Sequence, residues 1–121
     1  MGSGTQGPGA RFAPLEAAAQ SLGSALAARD LDAGTAAADA VVALTSDLLV
    51  ESVSQHDADP EAQAELVAAL HTYRNAAFAF RRFAKASGTG ADALALACAE
   101  LLGQGHDHLR RYDAHKGDHD R

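Results

Sequence analysis

The stretch "DPEAQAELVAALHTYRNAAFAFRRFAKAS", residues 59–87, decides the fold. Asp59 is placed to cap a helix, Pro60 to take its first position and Glu61 to meet the positive end of the dipole. Behind them Leu66, Leu70, Tyr73, Ala77, Phe80 and Ala84 recur at spacings of 4, 3, 4, 3 and 4. That is the seam of a helix packed on other helices. It should end near Ser87, with Gly88 free to take the left-handed C-terminal conformation.

Three more amphipathic segments flank this one. Upstream, Val41, Leu44 and Leu48 share one stripe of a second helix, with Leu49 and Val53 beside it and Asp32 as its cap. "RDLDAG", residues 29–34, separates it from a first helix striped by Phe12, Leu15, Ala19, Leu22 and Leu26. In that first helix Pro14 suits the opening turn and Glu16 complements the dipole. Downstream, Thr89 and Asp92 stand at capping-box spacing. The fourth helix they open presents Leu94, Cys98, Leu101, Leu102, Leu109 and Tyr112 on its apolar face. Gly103 and Gly105 interrupt it, each costing about 1 kcal/mol relative to alanine.

Composition agrees. Among 121 residues there are 30 alanines against two tyrosines, four phenylalanines and no tryptophan, so helix formers dominate and strand formers are scarce. The expectation is an all-α protein of one domain. Short connections make successive helices antiparallel neighbours, giving an up-down-up-down four-helix bundle over residues 12–115. Residues 1–11 read as a flexible leader and residues 116–121 as a polar tail. The alanine-rich style is that of a high-GC bacterial genome. The one cysteine, Cys98, excludes an intramolecular disulfide and fits a reducing compartment. No uninterrupted apolar run approaches the ~20 residues of a membrane span, and no secretory signal opens the chain. Both point to a cytoplasmic protein.

Charge is unevenly placed. The chain carries −6 overall, yet residues 71–87 hold Arg74, Arg81, Arg82 and Lys85 with no acid. Residues 1–70 have ten acids and two bases, giving −8; residues 71–121 have six acids and eight bases, giving +2. On the third helix Arg74, Phe78, Arg81 and Lys85 lie at spacings of 4, 3 and 4, beside the core seam. An aromatic ring among arginines matches the composition of interface centres. This face, with Arg82 alongside, is the candidate partner-binding site, for a second copy or for an acidic protein partner. The bland alternative is long basic stems snorkelling around a half-buried ring near a helix C-terminus. The negative net charge and the lack of a recognition-helix motif argue against nucleic acid.

Six histidines raise a second possibility. Counting from the helix connections puts Thr45, His71 and His106 at about one height. A buried cluster of these three, with Glu51, Glu65 and His108 within a turn or two, could hold a divalent transition metal or a small polar ligand, which makes His71, His106 and His108 the candidate ligands. The pattern is nonspecific, since none of the five glutamates has a histidine three residues on. Clustered cysteines and an EF-hand loop are also missing. The first reading requires no cofactor. Nor does the sequence contain a phosphate loop, nucleophile elbow or kinase signature, and Cys98 sits on an apolar stripe. The expectation is a non-catalytic binding or assembly protein.

Overall fold

A computed structural model describes residues 8–54, 60–86 and 89–119, with side chains over residues 12–52, 60–86 and 90–114. It contains four helices: α1 Pro8–Ala28, α2 Leu31–Ser54, α3 Pro60–Lys85 and α4 Thr89–His119. Strands are absent among the described residues. Residues 55–59, 87–88 and 120–121, which include the expected cap Asp59 and the expected Gly88, lie outside them.

Helix α3 organises the core. It packs most extensively on α4, then on α2. Leu66, Leu70, Tyr73, Ala77 and Phe80 of the expected seam are all buried, and Ala84 is half-buried. A second line, Ala62, Ala69, Ala76 and Phe83, is buried beside it. The small side chains bring neighbouring backbones close, while each large one contributes roughly 1.5–3 kcal/mol by leaving water.

Contacts fix which parts of the helices meet. Gln63 Nε2 donates to the Ser52 carbonyl at 3.1 Å, and Arg81 pairs with Asp39 at the other end of the α2–α3 seam. Between α3 and α4, Cys98 Sγ donates to the Ala76 carbonyl at 3.3 Å and His108 Nδ1 lies 2.8 Å from Glu65 Oε1. Phe12 meets Tyr112 edge-on at 5.6 Å, joining α1 to α4.

Two glycines are required by these seams. A Cβ on Gly34 would stand 2.0 Å from Phe80 Cζ, so the ring occupies the space of the missing side chain. A Cβ on Gly105 would approach the Tyr73 ring to 3.0 Å. Gly105 therefore marks a close approach within an unbroken α4, which runs through Gly103 and Gly105 without interruption.

Several local expectations are corrected. Helix α1 starts at Pro8, inside the stretch read as leader, so Pro14 is interior and cannot donate to the carbonyl four residues back. Helix α4 likewise extends to His119, into the expected tail. The α1–α2 connection is shorter than "RDLDAG" implied. Arg29 takes the left-handed conformation, φ 58°. Its N–H donates to the Leu26 carbonyl at 3.1 Å, and that of Asp30 to Ala25 at 2.9 Å, the paired bonds of a Schellman ending. Asp30, not Asp32, then caps α2, its Oδ1 accepting from Ala33 N–H at 3.1 Å.

The α2 stripe is turned by one residue. Thr45 is fully buried between Val41 and Leu48, and Leu44 is only half-buried. Burial of the hydroxyl is tolerated because Thr45 Oγ1 donates to the Val41 carbonyl at 2.7 Å. The stretch Leu31–Ser52 is also long and apolar enough by composition to cross a membrane, although polar residues divide it into short runs. Here it packs as one of four helices, with Asp32, Asp39 and Asp47 exposed along it.

Candidate functional site

The basic face of α3 is built by helical spacing alone. Arg74, Phe78 and Arg81 rise one turn apart, beside the turn that buries Tyr73, Ala77 and Phe80. The guanidiniums of Arg74 and Arg81 lie 5.5 Å and 5.6 Å from the centre of the Phe78 ring, one from each side along the helix. Such cation–π contacts contribute about 0.5–1 kcal/mol each where water reaches them. Phe78 is half-buried, and Arg82 and Lys85 are exposed.

Two features make this more than a row of solvated bases. Arg74 Nε is buried and has no hydrogen-bond partner among the described residues. Arg81 pairs with Asp39 of α2 at 2.6 Å, with both side chains about half-exposed. Part of the basic face is thus neutralised within the molecule, and an acidic row on α2 (Asp32, Asp39 and Asp47) flanks it. The sequence reading found the face and missed Asp39. The available signal was its place on the outer side of α2.

The three histidine candidates are dispersed. His71 is exposed on α3, because at that height the side chain turned inward is Tyr73, two residues on. His106 is exposed on α4 and lines a cleft of about 800 Å³ between α1 and α4. His108, two residues on, points elsewhere: its Nδ1 faces Glu65 at 2.8 Å and Arg111 Nη1 at 3.2 Å. The anticipated buried cluster of Thr45, His71 and His106 does not form. Among the described residues no three His, Cys, Asp or Glu side chains are arranged around one ion.

Cys98 is enclosed in the α3–α4 seam, where burial pushes its thiol up to about 11. The neutral thiol is a weak nucleophile, so packing is the role this environment supports. Tyr73 is pushed up to about 12, first by burial and then by the charges of Glu16 and Asp107. Tyr73 and Glu16 also line the cleft that holds His106, and neither was singled out from sequence as a functional residue. A cleft between the first and last helices has no local signature. No protein-family model, no curated protein and no solved structure matches this chain.

Proposed function

We infer that the chain is an antiparallel up-down-up-down four-helix bundle, a cytoplasmic and non-catalytic assembly protein that self-associates through the basic-aromatic face of α3. The topology is supported by the contact pairs. Residues 34, 39 and 52 of α2 meet 80, 81 and 63 of α3, and residues 65, 73 and 76 of α3 meet 108, 105 and 98 of α4. In the α3–α4 seam one number falls throughout as the other rises, and in the α2–α3 seam the partners drop from 80 and 81 to 63 as α2 runs from 34 and 39 to 52.

The observation that carries the functional reading is Arg74. Its guanidinium and that of Arg81 flank a half-buried Phe78, an arrangement completed by an incoming acidic and apolar surface. The neighbouring acids supply a natural counterpart. A surface with a basic row on α3 and an acidic row on α2, side by side, is self-complementary about a two-fold axis. In a second copy the basic row meets Asp32 and Asp47, with Phe78 as the apolar anchor.

The test is Phe78→Asp, compared with wild type by sedimentation velocity at matched concentrations. The expected result is loss of the associated species with unchanged helical circular dichroism. Equal sedimentation of the two proteins overturns the proposal. An acidic protein partner on the same face is the competing occupant, and it predicts a monomer in both cases.

A further inference from the structure

A second site lies away from this face, along the seam of α1 and α4. Two adjoining clefts share Gly23, Ala27 and Leu102 and form one groove. From Leu96 to His106 it spans ten residues of helix, roughly 15 Å. Its two ends differ in chemistry. At one end the groove is lined by Glu16, Tyr73 and His106. At the other Leu96, Ala99 and Leu102 form an apolar wall.

Leu96 is 62% exposed, the largest exposed apolar side chain on α4. Gly103 leaves the groove open, since a Cβ there would meet nothing within 4 Å. The charges nearest the apolar end are Arg29 and Asp92, which offset one another. Arg29 is further engaged, donating to the Leu26 carbonyl at 3.0 Å and lying over the Phe83 ring. Among the described residues lining the groove, the unbalanced charge is therefore at the Glu16 end, where Asp107 adds to the negative field felt by Tyr73.

The geometry points to a binding site for an amphipathic organic cation, its ammonium head at Glu16 and its apolar chain along Leu102, Ala99 and Leu96. A groove of this size is in the range of small-molecule sites. The head group gains a charge-assisted bond to a partly desolvated carboxylate, while the chain covers Leu96. An anionic amphiphile meets repulsion at the end where its head must sit. The site shares no residue with the basic face of α3, so either proposal can fail alone.

The experiment titrates the full-length protein with n-octylammonium, n-octanol and octanoate, followed by amide chemical shifts and by calorimetry. Octylammonium is expected to saturate at one per chain, with shifts centred on Gly23, Ala99 and Gly103. Octanol should bind about tenfold more weakly, and octanoate more weakly still. Glu16→Gln should bring octylammonium down to the level of octanol. Gly103→Leu, which adds a good helix former in open space, should abolish binding with helicity intact. Failure of octylammonium to bind overturns the proposal. So does octanoate binding as tightly, or binding that survives Gly103→Leu. Dissociation of an oligomer by Gly103→Leu would assign the groove to a second copy instead.

Discussion

The seams that α3 makes with α2 and α4 differ from the seam between α1 and α4. The first two are closed at the level of the backbone: the Phe80 ring fills the place of a side chain on Gly34, Tyr73 lies against Gly105, and Cys98 donates to a carbonyl of α3. The third is touched lightly, and glycine there opens space that nothing fills. Stability is concentrated where α3 is gripped. Unused surface is left where α1 and α4 touch lightly, and on the outward side of α3 itself.

One substitution made in both kinds of seam separates them most sharply. Gly34→Ala should destabilise by about 3 kcal/mol, because the buried Phe80 ring must move to admit the new carbon. A chemical-denaturation midpoint equal to wild type would show that the α2–α3 seam is loose after all. The alkaline limb of the stability curve tests the same gripped region. Cys98 and Tyr73 are both raised by burial, from 9.0 to about 11 and from 10.0 to about 12, so the neutral forms are favoured in the folded state. Unfolded chains then release these protons first. Stability should hold up to pH 9 and fall between pH 9 and 12, by on the order of 2 kcal/mol for each group. Cys98→Ala should remove the decline that starts at pH 9, and Tyr73→Phe the one that starts at pH 10. Denaturant titrations at half-unit pH steps read this directly.

In the open seam the sign reverses. Gly103→Ala should stabilise by up to about 1 kcal/mol, since a helix-interior glycine gains rigidity and its Cβ meets nothing. A lower melting temperature for that variant would mean the groove is filled. The smallest effect belongs to Arg81 and Asp39. Their 2.6 Å pair is about half-exposed, and a double-mutant cycle should return a coupling of about 0.2–1 kcal/mol that fades with salt.

What the sequence made legible follows the same division. The α3 seam was readable because its 4, 3, 4 spacing is sustained from Leu66 to Ala84, and the same spacing carried Arg74, Phe78 and Arg81 onto one face. Local pairings were harder. Two aspartates compete to cap α2, and the choice of Asp30 depends on the left-handed turn at Arg29, a conformation rarely assigned to arginine. Thr45 was passed over for Leu44 because its hydroxyl counts as polar until the Val41 carbonyl receives it. The height shared by His71 and His106 was sound arithmetic along the axis, but rotation about it puts Tyr73 inward. The groove was beyond reach altogether. It depends on how far two helices at opposite ends of the chain stand apart, and no residue encodes that distance.

The most direct test of self-association through α3 is a native mass spectrum of the full-length protein, purified without nickel resin, beside that of Phe78→Asp. A dimeric mass for wild type and a monomeric mass for the variant, both free of adducts, is the predicted result. A monomer in both spectra, or a dimer in both, would contradict it.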